Sequence, residues 1–185
     1  MATKRFTIEG YGQIELNNVA FRRDGRIETQ CHLDATDFAT LPAENGMLLA
    51  IDRANRVVRF PDAGELLPIG LHYSTEHMYD ERLPGLKNFS LKRGSFLPRM
   101  GLLAVGDKWT TNCLCYDDSE FTDDDALIEA LEACKETPVY GGLDVDGGAT
   151  KLSATQPAWG PVLKVVEFTT MPDGQPGVML QALKA

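Results

Sequence analysis

Val162-Leu163-Lys164-Val165-Val166-Glu167-Phe168, the turn Met171-Pro172-Asp173-Gly174, and Gly177-Val178-Met179-Leu180-Gln181-Ala182-Leu183 together decide the fold. Pro presets the backbone for a turn, Asp bonds its own backbone, and Gly accepts a positive φ, so Pro-Asp-Gly reverses the chain for a physical reason. The flanking runs are β-branched and aliphatic, which suits a pleated surface. They are apolar on both faces, which predicts a hairpin inside a sheet system rather than at its edge.

The same grammar runs back along the chain. Met47 to Ile51 and Val57 to Phe60 read as a second pair of strands around Asp52-Arg53-Ala54-Asn55, closed by Pro61. Leu67 to Tyr73 reads as a further strand. Ile14 and Leu16 alternate with polar neighbours, as do Ile27, Thr29, Cys31 and Leu33; Asp24-Gly25 between them predicts one hairpin over residues 13 to 33. Gly10-Tyr11-Gly12 predicts a bend between strands. Leu102 to Val105, the turn Gly106-Asp107 and Trp109 to Cys115 predict another hairpin. One amphipathic helix is expected over about residues 123–135: Thr122 as N-cap, Asp123 to Asp125 at the positive end of the dipole, Leu127, Leu131 and Cys134 on one stripe, and Pro138 as the stop. The expected fold is therefore mainly β, a β-sandwich or β-barrel, with one helix and a long loop or arm, all in a single domain over residues 1–185.

A chain of 185 residues can bury about 70% of its extended surface, enough for a core without staples. With 43% hydrophobic and 24% charged residues it is neither disordered nor collagenous. Eighteen basic against 27 acidic residues give a net charge of −9, which argues against nucleic acid or an anionic membrane as partner. No apolar run approaches the ~20 residues of a membrane span, and the start lacks an apolar signal region, so synthesis in a cytoplasm is expected. Cys31, Cys113, Cys115 and Cys134 are too scattered for a disulfide framework and are expected as buried thiols.

Charge is segregated. Between Arg82 and Arg99 stand Arg82, Lys87, Lys92, Arg93 and Arg99 with no acid, inside a stretch from Ser74 to Met100 that shows little regular structure. Residues 117–136 hold nine acids and only Lys135 as a base. A basic arm and an acidic face allow head-to-tail pairing of copies, or docking of the arm on an acidic partner. The same runs also suit plain solvated surface.

The residues needed for catalysis do not assemble. His32, His72 and His77 have no metal-ligand spacing, although His72 and His77 with Glu76 and Asp80 would form a site if the loop folded back. Cys113-Leu114-Cys115 puts two thiols on one strand face, a packing arrangement rather than a redox pair. A calcium loop opened at Asp117 has Thr122 where Gly is needed and Ile128 where the closing Glu is needed. No phosphate loop or nucleophile elbow occurs. Trp109, Trp159, Tyr73, Tyr79 and Phe89 are candidates for a sugar-binding face, though aromatic residues more often serve a core. No enzyme, metal or cofactor is expected.

The segment Glu76 to Arg82 followed by Phe96 to Asp107, with Thr110-Thr111-Asn112, Pro161 to Val166 and Met171 to Gly174, resembles small structural proteins of tailed bacteriophage heads, the capsid decoration or cement class. That resemblance implies a non-enzymatic virion protein that binds the major capsid protein in many copies, as a homo-oligomer, and stabilises the shell. On that reading Arg82, Lys87, Lys92, Arg93 and Arg99 meet acidic capsid groups, Phe89, Leu91 and Phe96 are the buried anchors, and Met1 to Phe6 forms a second bridge. The alternative is a carbohydrate- or receptor-binding β domain of a virion appendage, which requires a solvent-facing aromatic patch around Trp109 or Trp159.

Overall fold

The computed structural model describes residues 2–74 and 85–185. Strands β1 (Thr3–Arg5), β2 (Ile14–Asn18), β9 (Lys108–Thr111), β10 (Leu114–Asp117), β11 (Tyr140–Leu143), β12 (Thr150–Ser153), β13 (Val162–Thr170) and β14 (Pro176–Lys184) build an eight-stranded sheet in the order β1-β10-β12-β11-β13-β14-β9-β2. Strands β3 (Ile27–Glu28), β4 (His32–Leu33), β5 (Leu48–Asp52), β6 (Val57–Arg59), β7 (Ile69–His72) and β8 (Met100–Leu102) build a six-stranded sheet in the order β3-β8-β7-β5-β6-β4. Among the described residues both sheets end in open edges, so the mainly β fold is a sandwich and not a closed barrel.

The hairpin that decides the fold lies inside its sheet, between β11 and β9. Val165 faces Leu180 and Phe168 faces Val178 across the pair, with a bulge between Val165 and Glu167. Gly174, at φ 86°, closes the turn by donating its N–H to the Met171 carbonyl over 2.8 Å. The hairpin of β5 and β6 also forms as expected, and β7 lies within the strand expected there.

Two expected hairpins do not exist. Between β2 and β3 the chain makes a short helix, α1 (Ala20–Asp24), and Gly25 at φ 68° is its left-handed C-cap rather than a hairpin turn. The helix carries Phe21 into the interior against Tyr73, with ring centroids 5.1 Å apart, and Gly101 leaves the space that ring needs. Strand β2 then pairs β9, and β3 pairs β8. Gly106-Asp107 is a turn, but it joins β8 of one sheet to β9 of the other. Asp107 explains why: one carboxylate oxygen accepts from Ala20 N over 2.6 Å and the other from Ala104 N over 2.8 Å, clamping the crossover to the start of α1. Trp109 to Cys115 is correspondingly two strands, broken at Asn112-Cys113.

The expected long helix is α2 (Asp124–Glu132), which starts one residue later than the spacing predicts and ends three residues earlier, at the C-cap Ala133, with turns filling the stretch before Pro138. Asp123, in extended backbone, is the N-cap and accepts from Ala126 N over 2.9 Å. Leu127, Leu131 and Cys134 face inward, as the stripe requires. They join a large cluster with Trp109, Leu114, Leu163, Val165, Val178 and Leu180. A smaller cluster holds Cys31, Leu33, Phe38, Leu49, Ile51, Val58, Cys113 and Cys115. Strand β5 gives Leu48 to the first and Leu49 and Ile51 to the second, so it is covered on both faces. All four cysteines are buried thiols. No helix among the described residues is long and apolar enough to cross a membrane.

Candidate docking surface

The basic segment is a strap fastened to the body. Residues 85–100 begin with a 3-10 turn, Leu86–Asn88, and end by entering β8. At the first fastening, Tyr11 donates its N–H to the Lys87 carbonyl over 2.8 Å while Lys87 Nζ reaches Glu9 Oε1 at 2.8 Å. Gly10, at φ 79°, lies against that carbonyl, and a Cβ there would collide with the oxygen. This is the bend expected at Gly10-Tyr11-Gly12. Midway, Ala43 and Leu91 exchange backbone hydrogen bonds of 2.9 and 2.8 Å.

The far fastening is a relay of hydrogen bonds through a buried histidine. Arg99 N donates to Ser74 Oγ over 2.9 Å, and Ser74 Oγ lies 2.6 Å from His72 Nε2. His72 Nδ1 lies 2.8 Å from the Glu44 carbonyl oxygen, which can only accept, so Nδ1 carries the proton and Nε2 accepts from the serine. Burial pushes the imidazole down to about 4, and the bond to the Glu44 carbonyl only partly opposes that, so His72 is neutral. The Glu44 carboxylate meanwhile accepts from Arg5 Nη2 at 2.7 Å and Gly12 N at 2.6 Å, tying the same loop to the N-terminal strand. The Arg99 guanidinium stands 5.6 Å above the Tyr73 ring.

The residues expected at an interface divide into two groups. Phe89 and Leu91 turn inward and belong to the protein's own smaller core, because their alternation with Ser90 points both at the body. They offer no anchor to a partner, contrary to expectation. Lys92, Arg93, Phe96 and Arg99 face solvent, with Phe96 56% exposed and 6.4 Å from the Phe89 ring. A turn at Lys92–Ser95, with Gly94 at φ 83°, pushes Lys92 and Arg93 outward. Leu41, not singled out from sequence, is 53% exposed two residues before the strap's anchor at Ala43. Arg82 and His77 lie outside the described residues, as do Glu76, Tyr79 and Asp80. The N-terminal bridge is also corrected: β1 pairs β10 in the protein's own sheet and Phe6 is buried.

The other candidates are placed plainly. His32 is exposed on β4. Of the two positions expected for an aromatic patch, Trp109 is buried, as is Tyr73, while Trp159 is half-buried against the large cluster. Asp117 pairs with Lys151 at 2.8 Å, Glu120 accepts from Ser153 and Ala154, and Asp124 accepts from Tyr116 and Thr7. The acids of α2 that face solvent are Asp125, Glu129 and Glu132, with Glu136 just beyond. No group of His, Cys, Asp and Glu among the described residues is arranged to hold a metal. No protein-family model, curated protein or solved structure matches the chain.

Proposed function

We propose that the chain is a virion structural protein, a decoration or cement protein that binds the major capsid protein of a phage head in many copies. The observation that carries this reading is the strap: its backbone is held by Tyr11, Ala43 and Ser74, while Lys92, Arg93 and Phe96 are turned to solvent. A cationic, partly apolar projection held rigid in advance loses little entropy when it docks on an acidic seam. The resemblance to head proteins supplies the shell as partner.

The test is co-sedimentation of the purified protein with purified capsid shells, with mass per particle read by light scattering. Saturable binding at many copies per shell is expected. The variant K92E/R93E/F96A, checked for native circular dichroism, should lose at least ~tenfold in occupancy, because it reverses the charge and removes the apolar anchor. Protein that stays in the supernatant, or a variant that binds as well as the parent, overturns the reading.

A further inference from the structure

Two surfaces on this chain complement each other in charge, and among the described residues neither is fully paired. The first is the strap's outer face. Residues 85–100 carry Lys87, Lys92, Arg93 and Arg99 and no acid. Lys87 is engaged by Glu9 and Arg99 lies over Tyr73, but no ion pair reaches Lys92 or Arg93 among the described residues. Phe96 in the strap, and Leu41 two residues before the Ala43–Leu91 bridge, expose more than half their surface.

The second surface is the outer side of α2. Asp125, Glu129 and Glu132 recur at i, i+4 and i+7, which places them along one side of α2, and Glu136 is exposed in the turn just beyond its end. Leu127 and Leu131 take the inward side, so these acids form an exposed stripe. They differ from the acids just before them, since Asp117, Glu120 and Asp124 are used by Lys151, Ser153 and Tyr116. None of the four stripe acids is ion-paired among the described residues.

We propose that the strap of one copy docks on the α2 stripe of a second copy, with Phe96 and Leu41 covered at the contact and Lys92 and Arg93 set against Glu129 and Glu132. The contact joins unlike surfaces, so each copy has one of each to offer and association is head to tail. A net charge of −9 opposes random approach of two copies, and residues 85–100, with four bases and no acid, reverse the sign locally. The inference uses the same strap face assigned above to the shell, so on any one copy that face meets either a second copy or the shell, and the contact between copies needs no capsid. The two readings therefore fail separately: shell binding without self-association removes only this one.

The experiment is sedimentation velocity of the purified full chain without shells. At ~50 mM NaCl the parent should associate in a concentration-dependent way, and ~500 mM NaCl should weaken association at least ~tenfold by screening. K92E/R93E alone and E129K/E132K alone should be monomeric, each with a native circular dichroism spectrum. Mixing the two at equal concentration should restore association, because a reversed strap then meets a reversed stripe and a native strap meets a native stripe. A parent that stays monomeric to ~1 mM at low salt, single variants that associate like the parent, or a mixture without rescue would each overturn the proposal.

Discussion

Acid should loosen this protein through one residue before its carboxylates matter. His72 is fully buried, with Nδ1 committed to the Glu44 carbonyl and Nε2 to Ser74, and burial lowers its pKa from 6.5 to about 4. A histidine depressed in the folded state is protonated first in the unfolded chain, so between pH 6.5 and 4 the unfolded state binds more protons and stability falls as pH falls. Above pH 6.5 neither state is charged and nothing is lost; below pH 4 both are charged and the loss stops growing. The interval times ~1.36 kcal/mol per unit sets a ceiling of about 3 kcal/mol, a large fraction of a small domain's stability. A protonated His72 also leaves Nε2 donating toward Ser74, the group that holds Arg99 and the strap's end.

Urea unfolding followed by tryptophan fluorescence at steps from pH 7 to 4.5 measures the slope, and the matched variant His72→Gln isolates it. Glutamine supplies a donor and an acceptor but no titration, so its stability should change less with pH, and the two curves should diverge steadily below pH 6.5. Asp124 and Asp173 are held below their usual carboxylate range by hydrogen bonds, and both contribute equally in parent and variant. Parallel curves across the whole window would refute the reasoning, because they would mean that His72 takes up its proton as easily folded as unfolded.

Other substitutions separate the strap's two sides and fix the helix start. Leu91→Ala should cost about 2–4 kcal/mol in urea unfolding, since Leu91 is fully buried, whereas Phe96→Ala should stay within ~0.5 kcal/mol. Asp123→Ala should destabilise by about 1 kcal/mol while Thr122→Ala changes little, and the reverse order would move the N-cap back to Thr122. Gly10→Ala should cost more than ~1 kcal/mol and speed proteolysis within residues 85–100, because the new Cβ meets the Lys87 carbonyl in a left-handed backbone.

What was legible in the sequence was local. The β13–β14 and β5–β6 hairpins are adjacent in sequence and carry their own turn chemistry, and α2 carries its inward stripe in sequence, although its cap lies one residue after the expected Thr122 and its end falls before Pro138. What failed needed distant partners. Asp24-Gly25 satisfies a helix C-cap as well as a hairpin turn, and only the burial of Phe21 beside Gly101 and Tyr73 chooses between them. Gly106-Asp107 announces a reversal without saying that the next strand belongs to another sheet. The strap's basicity was plain in the sequence, but its attachment was not. Phe89-Ser90-Leu91 holds the period of a one-sided strand, a signal that was available, whereas the Ser74–His72–Glu44 relay depends on a loop some thirty residues away.

The arrangement divides labour along a single segment. Phe89, Leu91 and the relay at Ser74 spend their surface inside the protein, which leaves Lys92, Arg93 and Phe96 held in place without help from a partner. On the docking proposed above, a partner would meet side chains carried on a backbone already ordered by folding, and affinity would be lost by two physically different routes. Removing Lys92 or Arg93 removes contacts and leaves the fold intact. Protonating His72 or truncating Leu91 leaves every contacting side chain present but frees the backbone that carries it, so binding weakens through entropy while the salt dependence set by the strap's charges persists. The salt slope of docking therefore separates a damaged contact from a loosened support.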